Sequence, residues 1–139
     1  MTETKPPTVV RLTWEEGLRF SARHLRHSWT LDGKNEAGPS PVIALASALA
    51  GCMAIDIVHI LIKGRHKVGA LDAEFSGQRA DADPKRFTRI DLSFTVATGA
   101  PLEAVERAVE LSHEKYCSVW HSMRQDIEFH TSVEIVPLG

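Results

Sequence analysis

The sequence predicts an α+β fold with the element order β-β-β-α-β-β-α-α-β and mostly antiparallel strand pairing. Three observations carry that expectation. Apolar and polar residues alternate in short runs over the first third of the chain. One long Ala-rich apolar segment without a breaker follows. Beyond it, alternation returns on either side of a segment with helical spacing.

Taken in order, Thr8–Trp14 places Val10, Leu12 and Trp14 on one face, and Gly17–Arg23 does the same with Leu18, Phe20 and Ala22. His27–Leu31 carries Trp29 and Leu31, and Asp32-Gly33 then signals a turn. Ser40 is a good N-cap and Pro41 suits a first helical position, so a helix is expected from Pro41 to Lys63. Gly64 is the expected C-terminal cap, with Lys63 and Arg65 complementing the helix dipole. Strands follow at Leu71, Ala73 and Phe75 and at Ile90, Leu92, Phe94 and Val96, joined by the turn-rich Asp81–Pro84. After Gly99, Leu102, Val105, Val109 and Ser112 repeat with helical spacing to about Tyr116. Ser118 is placed to cap a short helix to about Arg124, and Glu128–Val136 alternates as a last strand.

The 139 residues make one domain, 1–139, in which 1–7 are expected to be flexible. With 43% hydrophobic and 24% charged residues, the chain has a globular composition. A net charge of −2 argues against nucleic acid as a partner, since phosphate binding wants a basic face. The start, Met1–Pro7, has no apolar region of a signal peptide. The stretch Val42–Ile62 is interrupted by Ser47, Asp56 and His59 and reads as a core helix, not a membrane span. A cytoplasmic protein with no membrane partner is expected. Two cysteines, Cys52 and Cys117, make neither a disulfide framework nor a four-ligand zinc site, yet they suffice for one redox pair. No nucleophile elbow or dinucleotide fingerprint is present in the sequence, and no cofactor is expected.

On the first long helix, Leu45, Ala48, Cys52, Asp56, His59 and Lys63 share one stripe. Asp56 lies one turn from Cys52, and its charge would raise a thiol pKa. His59 lies two turns away, about 10 Å along the axis, too far to deprotonate Cys52. An activating cation must come from elsewhere, and Arg19, Arg23 and Arg26 are the candidates. The alternative is a Cys52 that only packs, beside an Asp56–Lys63 ion pair. Cys117 falls between two helices, where a helix start lowers a thiol pKa and a protonated His113 at i−4 would add to the effect. The alternative, again, is plain packing. His113 and His121 would be about 12 Å apart on a straight helix, too far to share a metal, and no metal site is expected.

The run Gly38-Pro39-Ser40-Pro41, then Leu45, Ala46, Ala48, Leu49, Ala50-Gly51-Cys52 and Ile55-Asp56, resembles the OsmC/Ohr family around its first cysteine. Leu111–Val119, containing His113, Tyr116 and Cys117, resembles the family around its second. Ile60–Arg65 and the strand pair fit as well, so the likeness runs from Val9 to Val136, nearest to the OsmC-like, YhfA-type subgroup. The resemblance implies an intertwined homodimer with long central helices against antiparallel sheet. It implies a peroxidatic Cys52 that becomes a sulfenic acid, and a resolving Cys117 that closes a Cys52–Cys117 disulfide. The partners it implies are an organic or inorganic hydroperoxide and a dithiol reductant. Peroxidase branches carry a Glu just after the proline of the Ser-Pro motif, where this chain has Val42 and Ile43, and an Arg in the N-terminal sheet. The departure at Val42–Ile43 leaves a second reading, a non-peroxidase redox sensor or small-ligand-binding dimer on the same fold.

Overall fold

A computed structural model describes residues 4–139. Of the N-terminal stretch expected to be flexible, residues 1–3 lie outside the described residues. The chain divides into two compact units, the first ending at Leu45 and the second spanning Ala46–Gly139.

The first unit is built on an antiparallel sheet of β1 (Arg11–Glu16), β2 (Arg19–His24) and β3 (His27–Asp32), in that order. The period-2 pattern sets its register. Leu12 pairs with Ala22 and Ala22 with Trp29, while Trp14 pairs with Phe20 and Phe20 with Leu31, so six apolar side chains share one face. Arg19, Arg23, Thr30 and Asp32 fall on the other. Gly17 turns β1 into β2 at φ +52, where the Trp14 indole donates to its carbonyl at 2.8 Å. Asp32 closes the loop after β3 by accepting from the amides of Lys34 and Ala37 at 2.8 and 3.0 Å.

The helix α1 (Pro41–Lys63) has the bounds expected from Ser-Pro at one end and Gly at the other. Its C-terminus differs in detail. The amide of His66 bonds Leu61 O at 3.0 Å and that of Arg65 bonds Ile62 O at 2.9 Å, and the left-handed residue is Arg65 (φ +66), not Gly64. Among the described residues α1 is the one helix long and apolar enough to cross a membrane by length and composition. One stripe of it, Leu49, Met53, Ile57 and Leu61, is buried.

The second unit carries β4 (Val68–Arg79), β5 (Phe87–Thr98) and β6 (Glu128–Val136) as a sheet with β5 in the centre. Ile90, Leu92, Phe94 and Val96 of β5 are buried on one face. They form a single core with the α1 stripe and with Val105, Ala108 and Val109 of α2 (Leu102–Leu111). The strands β4 and β5 are antiparallel and β6 runs parallel to β5, so three of the four strand pairings are antiparallel, in line with the mostly antiparallel expectation. The connection carrying α2 returns the chain to the end where β5 began, which makes β5-α2-β6 a crossover unit. The predicted second helix is also shorter. The α-helical part ends at Leu111, and Ser112–Tyr116 form one π-helical turn. The predicted helix from Ser118 is only a 3₁₀ turn at Trp120–Ser122, and Ser118 caps nothing with its side chain.

Candidate functional site

Two elements of the second unit bring the chain's two thiols together. Cys52 stands on α1, one position before the buried Met53, and is therefore at the margin of the core and partly exposed. Cys117 follows the π-helical turn with an extended backbone (φ −73, ψ 97) and is fully buried. Both thiols are free, and Cys52 packs against the core that holds Cys117, near enough to act on its thiol.

The π turn sets where Cys117 points. In a continued α-helix its amide would bond the carbonyl of His113. Here it bonds Ser112 O at 2.7 Å, and the His113 carbonyl accepts from, or faces, the His121 ring nitrogen at 2.9 Å. The extra residue turns Cys117 by about 100° from its regular helical direction. Ser112, itself fully buried, donates its hydroxyl to Asp56 Oδ2 at 2.7 Å. Asp56 is thus committed across the core to the π turn, and the Asp56–Lys63 ion pair weighed from the sequence does not form among the described residues.

Burial pushes the Cys117 thiol up to about 11, and the neighbouring Cys52 adds to that. The Trp120 amide, which donates to Cys117 Sγ at 3.4 Å, pulls the other way and loses. The lowering expected from a helix start is present in the amides of Trp120 and Val119 but is outweighed. A 3₁₀ turn of three residues offers little dipole, and desolvation dominates. Nor does His113 supply a cation. Its ring is stacked on Phe129 at 4.8 Å and lies 5.3 Å from Trp120, and burial followed by the charge of His121 holds it below its ordinary value. It is a neutral imidazole at pH 7.

The three candidate arginines sit in the first unit. Arg19 on β2 faces Asp32 across the register and Glu16 at 3.9 Å. Arg23 is exposed on the same face, and Arg26 is exposed in the turn between β2 and β3. His59 is exposed on α1 and lines, with Asp56, Ile60, Lys63, Leu111 and Tyr116, a cavity of about 550 Å³. Among the described residues no cluster of His, Cys, Asp or Glu could hold a metal ion. The sequence reading did not single out Ser112 for the site. The available signal was a hydroxyl on the apolar stripe of α2, opposite a lone acid on an otherwise apolar α1.

Comparison with known proteins agrees with this architecture. A family model described as OsmC-like protein matches residues 32–132. The chain is 40% identical over 130 residues to Protein YhfA of Escherichia coli K12, covering 91% of this chain and 96% of that one. It superposes on an OsmC-like protein from Mycoplasma pneumoniae with a TM-score of 0.79 at 14% identity, covering 98% and 100% of the two chains. A protein of Legionella pneumophila described as the organic hydroperoxide resistance protein OsmC, a predicted redox protein, superposes with a TM-score of 0.70 at 16% identity over 95% and 99%. The β-β-β-α-β-β-α-β order, the paired thiols and these matches make the chain a member of the OsmC-like family.

Proposed function

We propose that this protein is a thiol-dependent hydroperoxide reductase that works as a cytoplasmic homodimer. The observation that supports it is a partly exposed Cys52 near a buried Cys117, both reduced. In the first step the Cys52 thiolate attacks the distal oxygen of a hydroperoxide. The O–O bond breaks, an alcohol leaves with a proton, and Cys52 becomes a sulfenic acid. Cys117 then attacks Cys52 Sγ, and its proton leaves with the hydroxyl as water as the disulfide forms. A small dithiol reduces that disulfide by two exchanges and is itself oxidised to a disulfide. The family membership and the hydroperoxide resistance named for the Legionella relative favour this chemistry.

The arginine that the family resemblance places in the N-terminal sheet leaves Arg19, Arg23 and Arg26 as the proposed candidates to assist the Cys52 thiolate. Uncovered apolar surface supports the homodimer. Trp14 is 62% exposed on the first sheet, and Ile55 and Ile62 of α1 are 71% and 58% exposed. A mass of two chains by light scattering is the expected result.

The decisive assay follows peroxide consumption with a dithiol donor. Wild type turns over, Cys52→Ser stays at background, and Cys117→Ser given peroxide before any donor is added consumes one equivalent and stops as a sulfenic acid. Background rates for all three overturn the proposal. Val42 and Ile43, which stand where peroxidase branches carry a Glu, favour a second reading as a redox sensor or small-ligand-binding dimer. Loss of two hydrogens on mild oxidation, seen by intact mass without turnover, selects the sensor.

A further inference from the structure

The hydrogen bond between Ser112 and Asp56 joins the two cysteine-bearing segments. Asp56 is one helical turn after Cys52 on α1. Ser112 opens the π turn that ends at Cys117, and its carbonyl receives the Cys117 amide at 2.7 Å. One residue therefore holds α1 with its side chain, at 2.7 Å, and Cys117 with its main chain. A π turn is rare beside the α-helix and occurs mostly as a single-turn bulge, frequently at functional sites. Without the Ser112 anchor, regular α-helical pairing becomes available to Cys117, which would swing it about 100° away from its present direction.

We propose that Asp56 and Ser112 are positioning residues for disulfide closure, a clasp that keeps the π turn in place and Cys117 aimed at Cys52. The inference rests on the thiol chemistry proposed above and adds two residues that touch neither substrate nor the reacting sulfurs. The clasp acts on the second step alone. Attack of Cys52 on an external oxidant needs nothing from the π turn, whereas attack of Cys117 on Cys52 Sγ requires it.

The test uses oxidised glutathione, so that it does not depend on peroxide chemistry. The Cys52 thiolate attacks one glutathione sulfur and releases one glutathione thiolate, giving a mixed disulfide. Cys117, losing its proton, attacks Cys52 Sγ and expels the second glutathione thiolate, which takes the proton. Acid-quenched intact mass on the full chain reads both steps. Ser112→Ala and Asp56→Ala are expected to slow closure between about ten- and a hundredfold, with the mixed disulfide accumulating. In a Cys117→Ser background Ser112→Ala should leave the first step within about twofold of that background, and Asp56→Ala should match Asp56→Asn, both having lost the charge near Cys52. Asp56→Asn keeps a carbonyl acceptor for the Ser112 hydroxyl and is expected to restore most of the closure rate. The double variant should be no slower than the slower single one, because both act through one bond.

Closure at the wild-type rate in both alanine variants overturns the clasp. So does equal slowing of both steps, which is the mark of a merely structural role, or additive slowing in the double variant. Should Ser112→Ala fail to fold, the Asp56→Ala and Asp56→Asn pair carries the comparison from the half-buried side. Clasp-dependent closure in a protein that consumes no peroxide keeps this inference and refutes the peroxidase reading. Peroxide turnover with clasp-independent closure does the reverse. A wild type that forms no Cys52–Cys117 disulfide refutes both.

Discussion

The buried thiol of Cys117 makes the stability of this protein fall in alkali, by an amount the site determines. Its pKa stands near 11 in the folded chain against 9.0 for an ordinary thiol, with desolvation as the main cause and Cys52 as the next to act in the same sense. Between those values the folded state holds a proton that the unfolded chain has lost, so stability declines as pH rises. Below pH 9 the contribution is fully present. At pH 10 about 1.4 kcal/mol is lost, and once the folded thiol has ionised the loss reaches about 3 kcal/mol, two pH units at 1.36 kcal/mol each. Replacing Cys117 with Ala removes this term and leaves the titration of Lys, Tyr and Arg common to both proteins. The assay is urea denaturation under a reductant at intervals from pH 7.5 to 10.5. The stability difference between wild type and Cys117→Ala should be flat to about pH 8.5 and then shrink by about 2 kcal/mol by pH 10.5. A difference that stays constant over the whole range refutes the assignment of a desolvated thiol. So does alkylation of native Cys117 at the rate of a solvent-exposed cysteine at pH 8.

Three further outcomes follow from particular contacts. Gly77 on β4 faces a T-shaped pair of phenyl rings, and an added Cβ would lie 2.6 Å from Phe87 and 2.7 Å from Phe75, so Gly77→Ala should cost about 1–3 kcal/mol in a denaturant melt. Arg65 carries the left-handed conformation at the end of α1, so Arg65→Gly should be more stable than Arg65→Ala by about 1 kcal/mol, both having lost the same charge. Amides of Ala37 and then Lys34 hold the Asp32 carboxyl below its ordinary range, so its stabilisation is present above about pH 4 and lost as pH falls through the folded value. Asp32→Asn should flatten the acid limb of a stability profile, and an unchanged limb would show that these amides do not favour the charged form.

Most of this fold is legible because its signals are local. Ser40-Pro41 and Gly64 act on backbone angles within a few residues, and α1 has the bounds they imply. Period-2 alternation marks all six strands for the same reason. What escaped is set at a distance. The direction of β6 depends on where α2 returns the chain, and nothing in the alternation of Phe129, Val133 and Ile135 differs between parallel and antiparallel partners. The π turn depends on a bond between residues 56 positions apart. The helical spacing of Val105, Val109 and Ser112 fits an α-helix equally well until Ser112 finds Asp56. Both cysteines could be located from the sequence, but the sign of the Cys117 shift could not, because burial is a property of the assembled core.

That sign bears directly on which thiol does what. A thiol held near 11 has about one part in ten thousand as thiolate at pH 7, and a buried sulfur meets no substrate from solution, so Cys117 is a poor first attacker. As a second attacker its position reverses the balance. Groups held in contact in the right geometry reach effective concentrations of about 10⁵ M or more, which offsets a ten-thousandfold deficit in thiolate. A thiolate of high pKa is also intrinsically the stronger nucleophile once formed. In the proposed chemistry, burial thus suits Cys117 to one partner only, the neighbouring Cys52, and leaves the partly exposed Cys52 as the thiol open to solution oxidants. The same reasoning explains why geometry must be held so closely at the π turn. A sulfur that depends on proximity for its reactivity loses most of it with a displacement of about 1 Å, and the Ser112 hydroxyl on Asp56 is the bond that prevents one.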